Sequence, residues 1–356
     1  LKMNKNFIIA LSIILFACCD STVAKKTSTH VGSELKVSSN EREKNIKKGM
    51  VLVQGGEFMM GGDGPDAKQD ELPKHKVFVN SFWMDESEVT NDQFQEFIDA
   101  TGYVTTAEKP IDWNEIKDML PPGTPKPHDS LLAPSSLIFF ETKTEDLTDF
   151  TQWWKLKRNA NWKQPFGENS TINGKGNHPV IHISWDDAQE YCNWAGKRLP
   201  TEAEFEYASR GGLKNNLYSW GNEPVNKGIL KANIWEGKFP STNETNDNFY
   251  YTAPVKSFDP NQYGLYDMAG NVWEWCSDWY HYEYYNMVAN DFSKNPKGPS
   301  NSYDPMEPYS PKKVIRGGSF LCNDSYCSGF RNSMRMKSTA DSSSLHTGFR
   351  TVMDVE

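Results

Sequence analysis

Cys322 and Cys327, separated by four residues in GGSFLCNDSYCSGFR, are the side chains of this sequence best suited to chemistry. On a tight turn that spacing brings two sulfurs together. A buried disulfide is the plainest outcome for an exported protein. Zinc takes about four ligands, and no second pair of Cys or His stands at zinc-site spacing. Two thiolates alone suit a soft monovalent ion such as Cu(I). Spacing alone ranks the disulfide first and leaves all three open.

Other chemistry finds little support. There is no Gly-x-Ser-x-Gly, His-Glu-x-x-His or phosphate loop. His178 and His182 in HPVIHISW alternate along an expected strand, where packing or hydrogen bonding is the default reading. Oxygen donors crowd ANIWEGKFPSTNETNDNFY and YDMAGNVWEW. Calcium takes roughly six to eight oxygens, many of them carbonyls, yet each Asp or Asn here also reads as a turn cap. Ser319 reads as a turn serine after Gly317–Gly318, Trp273 as core, and Arg335 as a surface charge.

The chain has 356 residues, enough for one large domain, with 24% charged and 37% hydrophobic residues. A net charge of −9 argues against a broad nucleic-acid-binding surface. The first residues differ in character: Lys2 and Lys5 precede an apolar run, Phe7 to Ala17, too short to span a bilayer. It reads as a signal peptide over residues 1–19. LFAC, ending at Cys18, resembles a bacterial lipobox, with Cys19 as the alternative site of lipidation. Export would permit disulfides. Residues 20–49 read as a flexible polar tether, and a single domain is expected over 50–356.

Three elements must position the chemistry. TNDQFQEFIDATG predicts a helix capped by Thr90 or Asn91 and stopped at Gly102. SWDDAQEYCNWAG predicts a second, from Ser184 to Gly196. Thr201 and Glu204 form a capping box that opens a third, ended by Gly211–Gly212. MVLVQGGEFMMGG reads as a strand and turn, and KHKVFVNSFWMDESEVT as one further strand-like run. Residues 110–180 read as a long irregular stretch, functional or held down by something else. The pattern is one α+β domain with little regular secondary structure.

Several segments in order resemble the sulfatase-modifying-factor family, whose catalytic members are formylglycine-generating enzymes: GGEFMMGG, EVTNDQFQEFIDATGY, WWKLKRNANWKQPFGENSTI, HPVIHISWDDAQEYCNWAGKRLPTEAEFEYASRGG, ANIWEGKFPSTN, YGLYDMAGNVWEWCSDW, RGGSFLC and GFR. They run from about Met50 to Arg350. The resemblance implies a compact α+β fold related to C-type lectins. It also implies that Cys322 and Cys327 hold copper, that the substrate cysteine joins them as a further thiolate, and that O2 oxidises it to an aldehyde. Ser319 matches an active-site hydroxyl and Trp273 an active-site tryptophan. Arg335 matches an arginine lining the substrate groove, and Tyr326 is expected to bind substrate beside it. His346 stands where an active-site asparagine is expected. Asn323–Asp324 replace more basic residues of some members.

The same resemblance implies two structural calcium sites. One would use Asn233, Ile234, Asp247 and Phe249, with Ile234 and Phe249 giving carbonyls. The other would use Asp267, Gly270, Val272 and Glu274, with carbonyls from Gly270 and Val272. Asp267 replaces the asparagine of many members. Cys192 and Cys276 are expected as buried, unpaired thiols.

The implied function is copper- and oxygen-dependent oxidation of a cysteine in a sulfatase-type polypeptide, recognised while extended through a Cys-x-Pro-x-Arg-like motif. The groove would be lined by the C-terminal segment and the 110–175 loop. The alternative is a non-catalytic cell-envelope lipoprotein scaffold of the same fold. An exported, membrane-anchored, periplasm-facing location follows from the N-terminal reading.

Overall fold

The computed structural model describes residues 47–144, 146–225 and 227–355. Cys18, Cys19, the signal segment and most of the tether lie outside the described residues. The first strand, β1 (Met50–Val53), is followed by β2 (Gly56–Met60), β3 (His75–Val79) and β4 (Phe82–Asp85). The expected single run over KHKVFVNSFWMD is therefore two strands. They belong to different sheets: β3 pairs with β2, and β4 with β1.

Helix α1 spans Asn91–Thr101 with Thr90 as its cap, α2 Trp185–Ala195 with Ser184, and α3 Glu202–Arg210 with Thr201. Each has a full capping box, and each ends on a left-handed glycine, Gly102, Gly196 or Gly211. The cap side chains satisfy amide donors that the first turn leaves unpaired.

The 110–180 stretch is more ordered than expected. Short helical turns lead into β5 (Ser135–Phe139), which pairs antiparallel with β6 (Trp154–Arg158). No strand covers His178–His182. His182 takes a left-handed φ of 60° and is fully buried. Its Nε2–H donates to the Pro165 carbonyl at 2.9 Å, and Nδ1 accepts from Ser136 Oγ at 2.7 Å. Ser343 Oγ donates in turn to Ser136 Oγ. This chain of bonds holds β5 against the C-terminal segment.

The later strands are β7 (Trp273–Trp279), β8 (Ser293–Lys294), β9 (Lys312–Arg316), β10 (Met336–Thr339), β11 (Thr347–Gly348) and β12 (Val352–Asp354). They complete a four-stranded sheet ordered β10-β9-β7-β11, and three-stranded sheets β1-β4-β12 and β2-β3-β8. Much backbone lies outside these ladders, so buried side chains must do the fastening.

The fastening is a set of buried ion pairs. Glu202 receives Arg316 at 2.8 Å and Arg335 at 2.7 and 2.9 Å. Glu206 receives Arg316 and Arg210, each at 2.7 Å. Glu71 binds Arg331 through both oxygens, and Glu274 binds Arg350 likewise. Removing one partner strands a buried charge. Glu202→Ala, which abandons both Arg316 and Arg335, is expected to cost about 3–5 kcal/mol, read as a lower urea midpoint.

Candidate active site

Strand β9 is followed by Gly317 and Gly318, both with positive φ. The chain then doubles back so tightly that a Cβ on Gly318 would lie 2.7 Å from the Gly329 and Phe330 backbone. This fold-back closes the loop that carries both cysteines. Asn323 organises its interior: its carbonyl accepts from the amides of Tyr326, Cys327 and Ser328, and its Nδ2 donates to the carbonyls of Trp235 and Gly237.

Cys322 is buried and Cys327 half-buried, and both are free thiols. Burial first, and then donation of its S–H to Cys327, push the Cys322 thiol well up. Burial also works against the Cys327 thiolate. Even so, the Cys322 thiol, backbone donors at Gly329 and Asn323, and the charge of Lys68 together hold Cys327 below its usual value. One inner thiol thus serves one outer, more acidic thiol.

Ser319 is fully buried in the turn beside Cys322. Its hydroxyl accepts from Leu321 N–H in the turn, while its own N–H donates to Cys322 Sγ at 3.3 Å. Its hydroxyl lies 4.0 Å from the same sulfur. Trp273 opens β7, and its ring edge meets Cys322 Sγ across Gly329. A Cβ on Gly329 would fall 2.5 Å from the sulfur and 2.6 Å from the ring. Tyr326 stays partly exposed, stacked on Phe239 at 4.4 Å and edge-on to Trp153 at 5.7 Å.

His346 reaches the site through its own carbonyl, which accepts the Trp273 amide at 2.8 Å. Its ring packs on Trp154 at 4.6 Å, and Nδ1 bonds Ser344 Oγ at 2.8 Å. Burial, and then the neighbouring His182, push the His346 pKa down to about 3, so the ring is neutral at physiological pH. The 110–175 segment reaches these residues through Trp153, against Tyr326, and Trp154, against His346.

Arg335 is not a groove residue. It is 2% exposed, bound by Glu202, and its guanidinium lies 4.2 Å from the Tyr285 ring centre. A charge this deep needs a carboxylate partner, and α3 supplies it. Cys192 and Cys276 are buried and unpaired, as expected.

The two oxygen-rich clusters are adjacent. In the first, Asn233 Oδ1 and Asp247 Oδ2 are buried without a hydrogen-bond partner. Burial, and the nearby Glu236, raise Asp247 to about 6. In the second, Asp267 and Glu274 lie beside Glu88, a residue the sequence did not single out. Glu88 Oε2 is buried and unpartnered, and burial together with Asp267 and Glu274 raises it well above normal. Arg350 is the cation facing these three carboxylates. Asn271 joins the clusters, bonding Asn233 through Oδ1 and Glu88 through Nδ2. The orphaned oxygens of Asn233, Asp247 and Glu88 are hard donors of the kind calcium takes, whereas both oxygens of Glu274 are held by Arg350.

Over residues 36–355 the chain matches the sulfatase-modifying factor enzyme 1-like domain, and it belongs to that family. It is 44% identical over 306 residues to the formylglycine-generating enzyme of Mus musculus, covering 86% of this chain and 75% of that one. It is 42% identical over 312 residues to the formylglycine-generating enzyme of Thermomonospora curvata, covering 87% and 94%. The inactive C-alpha-formylglycine-generating enzyme 2 of Mus musculus is 37% identical over 305 residues, covering 85% and 84%. PvdO from Pseudomonas aeruginosa shares the fold with a TM-score of 0.56 at 22% identity, covering 86% and 94%. Kinship at 38–44% with formylglycine-generating enzymes makes this chain an enzyme that converts a cysteine to formylglycine.

The histidines set an acid limit on the fold. His182, like His346, is held down to about 3 by burial, whereas an unfolded histidine takes its proton near about 6.5. The unfolded chain therefore binds two protons that the fold refuses, and stability falls as pH drops from about 6.5 towards 3. His346→Asn is expected to flatten that slope, by about half of 1.4 kcal/mol per pH unit between pH 7 and 6 and by nearly all of it between pH 6 and 5, measured by urea unfolding at pH 7, 6 and 5.

Proposed function

We propose that the Cys322–Cys327 pair binds Cu(I) and that the reaction uses O2. The pairing of two hydrogen-bonded free thiols carries this reading. They sit on one tight loop, one buried and one reaching the surface, with no zinc-type ligand set among the described residues. Copper would supply a soft centre at which the substrate thiol is held and O2 is reduced; the substrate carbon would give two electrons and lose its sulfur as sulfide, and an external thiol would give the other two, so that O2 ends as the aldehyde oxygen and water.

The remaining steps belong to this chain's own residues. Cys327, the more acidic and more exposed thiol, meets the incoming cysteine. Cys322 gives its proton only when the pair is fully ionised. The Ser319 amide and hydroxyl stabilise negative charge on the inner sulfur. Trp273 and Gly329 keep water from that sulfur's inner side. Tyr326 and the neutral His346 frame the approach beside Trp153 and Trp154. The client is a sulfatase-type polypeptide with a Cys-x-Pro-x-Arg-like motif, bound extended. An N-terminal lipid anchor in the cell envelope belongs to the same proposal. The thiol pair disfavours a purely non-catalytic scaffold, which has no use for it.

The copper-loaded protein is expected to convert a Cys-Thr-Pro-Ser-Arg peptide in air to the aldehyde, followed by mass. Cys327→Ala is expected to abolish this turnover; full activity of that variant, or no aldehyde with copper bound, would refute the two-thiolate site. Cys322 and Cys327 can still close to a disulfide when copper is absent.

The two oxygen-rich clusters are proposed as structural calcium sites. Asn233 and Asp247, with the Ile234 and Phe249 carbonyls, hold one ion. Asp267 and Glu274, with the Gly270 and Val272 carbonyls, hold the other. Calcium is expected to raise the melting temperature of chelator-treated protein in a concentration-dependent way. Asp247→Asn is expected to reduce that rise without lowering the melting temperature measured in chelator. An unchanged rise would remove Asp247 from the site.

A further inference from the structure

The pairing of β6 leaves one of its edges open. Phe140 N–H donates to the Trp153 carbonyl at 2.8 Å, and Asn159 N–H to the Pro134 carbonyl at 2.9 Å. With Lys155 opposite Ile138 and Lys157 opposite Ser136, the inward-bonding positions are 153, 155, 157 and 159. The N–H and C=O groups of Trp154, Leu156 and Arg158 point the other way. Among the described residues none of them has a hydrogen-bond partner, and β6 borders no strand but β5; Gly167 packs against the Arg158 carbonyl, so the open part of the edge is Trp154 to Leu156.

This open edge begins at the thiol site. Trp153 lies against Tyr326 and Trp154 against His346. From there β6 runs outward about 17 Å to a cleft of about 610 Å³ lined by Lys157, Arg158, Asn159, Glu168 and Asn169. Leu156 and its cross-strand partner Leu137 are 40% and 38% exposed. Lys155, Lys157 and Arg158 are exposed, and among the described residues none is in an ion pair. Glu168 is the single carboxylate of the cleft. In a chain of net charge −9, this is a local basic track on an unpaired strand. Edge strands are ordinarily covered or blunted by charge, Lys above all; charges of one sign turn away apolar and basic strands and leave the edge open to an acidic one, which would join by strand addition.

We propose that the outer edge of β6 captures the client polypeptide as an added strand, taking an acidic stretch that flanks the target cysteine. This rests on the thiol pair being the reaction site. The main chain of the client bonds Trp154 and Leu156, and its Asp or Glu side chains meet Lys155, Lys157 and Arg158. The main-chain bonds are indifferent to sequence, so charge supplies the preference.

The test compares three peptides on the copper-loaded enzyme: bare Cys-Thr-Pro-Ser-Arg, and the same core with flanks of acidic or of neutral residues on both sides. Binding is followed separately by fluorescence anisotropy on the metal-free protein, with labelled peptides carrying serine for the reacting cysteine. The acidic-flank peptide is expected to bind at least tenfold tighter than the bare one and to show a correspondingly lower KM. Leu156→Pro removes an outward N–H, which an edge strand tolerates, and is expected to erase that advantage. Lys157→Glu with Arg158→Glu is expected to transfer the advantage to basic flanks, and decides the matter if the proline variant does not fold. Equal binding of all three peptides overturns the proposal. So does an acidic-flank advantage that survives N-methylation of alternate flank amides, because simple charge attraction would then account for it. If wild type leaves the bare peptide unoxidised while the flanks still bind through β6, the copper-thiol reading fails and the edge stands. If the bare peptide is oxidised and the flanks add nothing, the edge alone fails.

Discussion

Two glutamates on one helix, Glu202 and Glu206, are the constraint on which the rest of the structure depends. α3 enters the interior with its carboxylates unscreened by water. It is stable there because Arg316 and Arg335 arrive from β9 and from the segment after the thiol loop. Each ion alone would be far too costly to bury. Together they fix where β9 ends, and so where the Gly317–Gly318 reversal begins. The placement of the two sulfurs is inherited from charges that take no part in their chemistry.

The same logic recurs at each point where the chain leaves regular structure. Arg331 after the thiol loop reaches Glu71 near the start of the domain, and Arg350 after His346 reaches Glu274 on β7. Loops without ladders are held by side-chain bonds to distant backbone, as Asn323, Asn271 and His182 illustrate. At Asn233, Asp247 and Glu88 a buried oxygen is left without a partner, and each is a hard donor. A protein with so little sheet and helix depends on such contacts to keep its site rigid.

Local signals in the sequence were sufficient for the three helices, because a capping box and a left-handed glycine are decided within a few residues. Thr90, Ser184 and Thr201 each sit where their own neighbours require them. The thiol pair was legible for the same reason. Arg335 was misread because its environment is set by Glu202, over a hundred residues away, and nothing near it in the chain says it is buried. Glu88 was missed on identical grounds: its neighbours Asp267 and Glu274 lie far along the sequence. The β5–β6 pair was hidden because Pro134 precedes it, the strands are short, and Lys155, Lys157 and Arg158 break the apolar pattern of β6.

The pairing of Glu71 with Arg331 spans 260 positions of the chain, and β4 receives β12 from the far end. Synthesis runs from the amino end, so Glu71 stays hydrated and unpaired until Arg331 has been made. The thiols share this late arrival, since their loop closes only against segments made long before. A partial chain therefore carries two ordinary, separated cysteines. The acidity of Cys327, and with it the pairing that would suit a soft metal, exists only once the loop has closed, so assembly of the domain and switching on of the site are coupled.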